Sequence, residues 1–399
     1  MGLVSPHTSA QNDEGFIYGK ITTRSGNVYF GQVRWGDEEI FWNDIFNSTK
    51  TSGTNFRNVS QSKENNDEKE NSWLDFDWEF LSIWDDKYSG TSHSFACRFG
   101  DIGSMVIRGE KEVNVIFKNG VNMAVRGGSN DIGTKIKVYD DEIGQLDLRW
   151  SQVRRVDFSP TPATLKNKFG EPLYGTVETF RKGKFEGFIQ WDHDERISTD
   201  ILNGDSREGD LKIPFGHVKS IESKKNGSIV ALKSGRELYL TGSNDVNREN
   251  RGVIVTTESL GKIDIPWKAF RKVTFDRPPH SGTSYQSYSI PRAIKGKVRV
   301  IDGETLEGLI VYDLDESWDF ELLDGKDDEL EYRIPFRNIK KIIPKNYNYS
   351  IILLKNGDEL LLGYERDVSE DNDGLLVYVR QNEEPVYVKW KTIDEIILD

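Results

Sequence analysis

Hydrophobic and polar residues alternate along most of this chain in runs of roughly four to eight, broken by Gly, Asn, Asp and Ser. That is the pattern of β-strands joined by tight turns. Ser228-Ile-Val-Ala-Leu-Lys-Ser-Gly235-Arg-Glu-Leu-Tyr-Leu240 reads as two strands about a Lys-Ser-Gly turn. Ser350 to Leu362 repeats it about Asn356-Gly357, and Val113 to Val125 about Asn119-Gly120. Asn-Gly supplies the positive φ angles that a short hairpin turn requires. No segment of comparable length shows a 3.6-residue apolar period, so the pattern predicts an all-β fold of antiparallel sheet.

The pattern also repeats on a longer scale. Tyr18-Gly19 to Gly31-Gln-Val-Arg-Trp35, Tyr174-Gly175 to Gly187-Phe-Ile-Gln-Trp191 and Lys295-Gly296 to Gly308-Leu-Ile-Val-Tyr312 share one glycine spacing and lead into an acidic cluster. A second shared stretch runs from Phe99-Gly100, Ile213-Pro-Phe215 and Ile334-Pro-Phe336 to closing segments around Trp150, Trp267 and Trp390. The closing tryptophans recur at one position flanked by apolar residues, so they are expected in the core, each followed by a short helical turn. These repeats predict three tandem modules at 15–158, 172–276 and 293–399, each a strongly twisted sheet closing toward a small barrel or sandwich. Packing about a pseudo-threefold axis would protect their strand edges. Proline-rich stretches at 159–172 and 277–291 read as linkers.

Each half-module, best seen in Lys297 to Asp313, resembles the SH3-like and Sm-like small barrels: a strand, a glycine-containing turn, and a second strand closing on Gly-hydrophobic-hydrophobic before an acidic loop. The resemblance implies barrel-like geometry. Sm-like proteins bind RNA, but this chain departs from them in charge and lacks their Asn-bearing RNA loop, so no binding residue is carried over.

Composition narrows the function. A net charge of −13 with 30% charged residues argues against nucleic acid or an anionic membrane surface as partner. No apolar run is long enough for a spanning helix. The single Cys97 excludes an internal disulfide and falls at the repeat position of Ile213 and Ile334, as a small buried residue. Residues 1–14 form a tail in which Leu3 to Ala10 resembles the end of a secretory signal, which predicts export.

The acidic clusters are Glu38-Glu39, Asp192-His-Asp194-Glu195 and Asp313-Leu-Asp315-Glu316. Oxygen-rich loops suit Ca²⁺, making Asp192, Asp194, Glu195, Asp313, Asp315 and Glu316 the candidate metal ligands, although turn carboxylates commonly bond their own backbone. A second recurring acidic position lies in Ser129-Asn-Asp131, Ser243-Asn-Asp245-Val-Asn247 and Arg366-Asp367-Val-Ser, whose Asn and Asp are expected to build Asx-turns. The five histidines show no metal-ligand spacing, and no nucleophile elbow, phosphate loop or dinucleotide fingerprint appears.

The first module carries an insertion at 47–94. Its first half is polar and reads as a loop. Its second half places Trp73, Phe76, Trp78, Phe80 and Trp84 among Asp75, Asp77 and Glu79. This run is either an extra strand covering the sheet or an aromatic platform for a glycan or a protein partner. The expectation is an exported, non-catalytic binding or scaffold protein whose specificity lies in that insertion. The alternative is a carbohydrate-active enzyme resembling a glycoside hydrolase, which needs a cleft holding two unlike carboxyl groups.

Overall fold

A computed structural model describes residues 12–50, 94–127, 131–380 and 384–399. The described residues form thirty strands and short 3₁₀ turns, with antiparallel pairing throughout and no α-helix. The first ten strands are β1 (Tyr18–Thr23), β2 (Val28–Trp35), β3 (Ile45–Lys50), β4 (Ser94–Arg98), β5 (Ile102–Ile107), β6 (Glu112–Phe117), β7 (Asn122–Arg126), β8 (Ile136–Asp140), β9 (Gly144–Leu148) and β10 (Val153–Phe158). The next ten are β11 (Tyr174–Thr179), β12 (Lys184–Trp191), β13 (Ile201–Ser206), β14 (Gly209–Pro214), β15 (Val218–Lys224), β16 (Gly227–Leu232), β17 (Glu237–Leu240), β18 (Val253–Thr257), β19 (Gly261–Ile265) and β20 (Phe270–Asp276). The last ten are β21 (Lys295–Val300), β22 (Thr305–Val311), β23 (Leu322–Asp327), β24 (Leu330–Pro335), β25 (Ile339–Asn346), β26 (Tyr349–Leu354), β27 (Glu359–Gly363), β28 (Leu375–Tyr378), β29 (Val386–Val388) and β30 (Ile393–Leu398).

One pairing order occurs in all three stretches. In the first it is β9-β8-β2-β1-β10-β5-β6-β7-β3-β4. The third repeats it strand for strand. The second differs only where the β13–β14 hairpin joins β17, through the single bridge Asp205↔Thr241. Bulges fall at matching places, Thr22/Thr23, Glu178/Thr179 and Arg299/Val300, and increase the local twist. The paired glycines of the sequence repeat face one another across the first hairpin, as in Gly19↔Gly31 and Gly175↔Gly187. A Cβ at Gly31 would lie 2.0 Å from the Tyr139 carbonyl oxygen, so only glycine lets the flanking strands approach at this bend.

The core repeats an aromatic contact. Trp35 meets Trp150 and Trp191 meets Trp267, each edge to face at 5.9 Å. Tyr312 meets Trp390 in the same way at 5.9 Å. Such pairs add about 0.5–1.5 kcal/mol beyond their buried area. Trp150 and Trp390 are buried at the head of 3₁₀ turns, Trp150–Gln152 and Trp390–Thr392. Trp267 follows Pro266 in a plain turn, stacks on Phe270 and is only partly buried. Cys97 is fully buried opposite Phe46, and burial pushes its thiol well above the usual range.

Every pair of these units touches. Modules 2 and 3 share one hydrophobic core and a strand ladder in which Lys262, Ile263 and Asp264 of β19 face Arg333, Tyr332 and Glu331 of β24. Phe117 of module 1 stacks on Phe320 of module 3 at 4.4 Å. The segment 277–291, which reads as a linker in the sequence, packs against module 1. Tyr285 lies 4.5 Å from Trp42, Tyr288 is buried, and the Lys118 ammonium donates to the carbonyls of both tyrosines.

Candidate functional site

The acidic clusters follow strands β2, β12 and β22. In each, the aromatic residue at the end of the strand or just past it exchanges backbone hydrogen bonds with the glutamate four positions on: Trp35 with Glu39, Trp191 with Glu195, Tyr312 with Glu316. The turn between them needs left-handed backbone, with φ +64° at Gly36, +46° at Asp192 and +49° at Asp313. Aspartate tolerates that region better than most side chains.

A carboxylate five positions further on closes the turn. Asp44 Oδ2 accepts from the amides of Ile40 and Phe41, Asp200 Oδ2 from Arg196 and Ile197, and Glu321 Oε2 from Ser317 and Trp318. The same three carboxylates also reach outward to a cation of another module. Asp44 pairs with Arg196, Asp200 Oδ1 with Arg34 Nη1 at 2.7 Å, and Glu321 Oε1 with Lys50 Nζ at 2.7 Å. One structural position thus holds its own turn and docks a neighbour.

The second recurring acidic position meets these turns from across the sheet. Trp35 Nε1 donates to the Asp131 carbonyl, Trp191 Nε1 to that of Asp245, and the Tyr312 hydroxyl to that of Asp367. Asn247 Oδ1 accepts from the Glu249 amide in a local Asx-turn of the kind expected from sequence, whereas the aspartate side chains reach further. Asp245 Oδ2 accepts from Asn203 N and Nδ2, and Asp367 Oδ2 from Asp324 N, so their bonds run to strands about forty residues away. The recurrence of Asp after the seventh strand was the signal available; its partner lay outside any local window.

Glu39, Glu195 and Glu316 consequently lie close to Asp131, Asp245 and Asp367. Burial raises all six carboxyls, and the facing aspartate adds to the rise at Glu39, Glu195 and Glu316. Glu195 is pushed up to about 9 and Asp131 to about 6, while Glu39, Glu316 and Asp367 stand well above the carboxylate range and Asp245 is raised. Crowded buried carboxyls either keep protons or recruit a cation.

Of the residues proposed from sequence as metal ligands, Asp313 and Glu316 meet Asp367, their carboxyl oxygens all within 4.8 Å of one another. Asp313 is already held by Arg366 Nε at 2.7 Å and by the Asp373 amide, whereas Glu316 Oε2 is buried with no hydrogen-bond partner. Asp192 lies beside Glu195 and accepts from the Arg251 amide. Asp194 and Asp315 turn to cations instead. Asp194 pairs with Arg251, and Asp315 Oδ1 lies 2.7 Å from Lys50 Nζ. The aromatic candidates Trp73, Phe76, Trp78, Phe80 and Trp84 lie outside the described residues.

Clefts open between the modules. One, of about 630 Å³, separates modules 1 and 2 and is lined by Glu38, Glu39, Asp131, Asp194 and Glu195 with Arg34 and Lys137. Another, of about 570 Å³, lies where all three modules meet and is lined by Arg98, Lys262, Arg333 and Arg337 among polar residues. Burial and the nearby Arg333 lower the Lys262 ammonium from its usual range. No family model, curated protein or solved structure matches the chain.

Proposed function

We propose that this chain is an exported, non-catalytic binding or scaffold protein of three like modules, recognising a glycan or a protein partner. The observation that carries the reading is that the acidic turns repeat one internal role. In each module the carboxylates hold a turn, bond a neighbouring strand or pair with a cation of another module. A catalytic centre needs unlike groups gathered once, whereas these groups are alike and occur three times. Export rests on residues 3–10 and the aromatic platform on residues 73–84; both lie outside the described residues and remain sequence-based elements of the proposal. A glycan array and a protein-partner screen of the purified chain, run beside a hydrolase panel, test it. Capture without turnover is the expected result.

The second reading is a carbohydrate-active enzyme, favoured by the cleft between modules 1 and 2. There Glu195, raised to about 9, retains the proton that a general acid must donate, and Asp194 lies nearby as a second carboxylate. Glycoside hydrolysis abolished by Glu195→Gln would establish this reading and overturn the first.

A further inference from the structure

Module 3 departs from module 2 at one end of its β25–β26–β27 meander. Lys224-Lys225-Asn226-Gly227 joins β15 to β16, and the corresponding residues of module 3 are Asn346-Tyr347-Asn348-Tyr349. In module 2, Gly227 lies against the Thr241 side chain. In module 3 the order is inverted, with Tyr349 facing Gly363. A Cβ at Gly363 would come within 2.5 Å of Tyr349 Cδ1, so the glycine makes the space that the tyrosine ring occupies.

The next residue, Tyr364, stands at φ +60°, where module 2 has Gly242 at +80°. A bulky side chain in left-handed backbone costs free energy that glycine avoids. That cost is not offset in the core: the buried apolar positions of this meander are Ile339, Ile342, Ile352, Leu354 and Leu362, while Tyr364 is 58% and Tyr347 74% exposed. Module 2 builds the same three strands with Lys225, Gly227 and Gly242.

The rings of Tyr349 and Tyr364 and the backbone of Tyr347 are held in place. Rings of Tyr349 and Tyr364 meet edge to face at 5.0 Å with their hydroxyls hydrogen-bonded. The Glu370 amide donates to the Tyr347 carbonyl at 2.7 Å, the Tyr364 amide to that of Asn348 at 3.1 Å, and Asn346 Oδ1 accepts from the amides of Asn348 and Tyr349. The Tyr364 hydroxyl, with Asp328 and Asp327 nearby, raises the Tyr349 phenol, which keeps it neutral.

The surroundings select the ligand. Lys326 is held by Glu331 and Glu365 and Lys182 by Asp327 and Asp328, so these nearby lysines are already paired in a chain at −13, and an anion is disfavoured. A pre-oriented pair of phenol rings, with the exposed Tyr347 and asparagine amides beside it, suits the C–H faces and hydroxyls of an uncharged sugar. We propose that Tyr347, Tyr349 and Tyr364 form a platform for a neutral glycan on module 3, an inference that rests on the non-catalytic binding reading.

The test titrates the full chain by calorimetry with hexasaccharides built on glucose, xylose, mannose and N-acetylglucosamine. At least one is expected to bind. Tyr364→Gly and Tyr347→Ala should each weaken it by about tenfold or more, while Tyr364→Gly keeps or raises the melting temperature because glycine relieves the backbone. No binding at millimolar concentration overturns the proposal, as does a protein partner captured through these tyrosines without any glycan. Glycan binding that survives both substitutions removes this site and leaves the binding reading standing. Hydrolysis of a hexasaccharide insensitive to the tyrosines removes both.

Discussion

Modules 1 and 2 meet through side chains, whereas modules 2 and 3 also meet through backbone. Across the first interface Arg34 and Arg196 reach to Asp200 and Asp44, and Phe41 approaches Phe188 at 6.0 Å. Across the second, β19 and β24 continue one ladder into another over a common core. A ladder distributes its stability over backbone groups that substitution leaves intact. A side-chain interface concentrates it in a few buried charges, each of which is costly to leave unpaired. The first interface is therefore expected to be sensitive to single substitutions and to pH, and the second tolerant of both.

The largest effect should come from Arg196, which is fully buried, pairs with Asp44 and lies over the Phe41 ring at 4.9 Å. Arg196→Ala is expected to destabilise by about 3–5 kcal/mol, since Asp44 would remain as an uncompensated buried charge. Urea unfolding measures this, and a loss under 1 kcal/mol would mean that the first interface is not held by its charges.

Removing the closing tryptophans compares the modules through their cores. Trp150→Ala should cost about 3–5 kcal/mol, the range for a buried aromatic. Trp267→Ala should cost less, about 1–3 kcal/mol, because its ring is partly exposed and the shared core of modules 2 and 3 still contains Phe270 and Trp191. Equal losses would contradict that difference.

The pH dependence should be felt at the first interface, alongside the raised carboxyls of module 3. Glu195 and Asp131, raised to about 9 and 6, and Glu38, raised by burial and by Asp194, all line the cleft between modules 1 and 2. Groups raised in the folded state bind protons more tightly there than in the unfolded chain. Their contribution is fully present below about pH 4 and is lost as pH rises through 6 toward 9. The melting temperature is expected to fall over that range. Glu195→Gln should flatten the upper part of the fall and add about 1–3 kcal/mol at pH 9 by removing a charge that burial disfavours. Unchanged pH dependence in the variant would show that Glu195 does not titrate as described.

The smallest effect is expected at the exposed edge of the second interface, where Lys182 pairs with Asp327 at 2.6 Å and Asp328 at 2.7 Å. Lys182→Ala should change stability by less than about 1 kcal/mol, since exposed pairs are screened and the ladder beneath is untouched. A larger loss would mean that modules 2 and 3 also depend on charge.

Most of the strand pattern was legible in the chain because it is local. Gly120, Gly235 and Gly357 turn their hairpins at φ +85°, +87° and +98°, and alternation with period two places Val230 and Ile352 inward. The recurring Trp35, Trp191 and Tyr312 positions follow from the same local rules, since the end of a bent strand must bury a large ring. The acidic turns could be located from sequence but not interpreted. A carboxylate beside a turn looks alike whether it caps an amide, keeps a proton or meets an arginine.

What the sequence by itself determined is therefore the alternation, the turns and the thrice-repeated order of aromatic and acidic positions, because each depends on residues within one hairpin. Only the tertiary structure decided that Lys50 lies between Asp315 and Glu321, that Arg196 pairs with Asp44, and that Glu316 meets Asp367. Those contacts join positions tens to hundreds of residues apart, where backbone periodicity carries no information. The partners of a buried charge are set by which surfaces pack together, and packing is decided by all three modules at once.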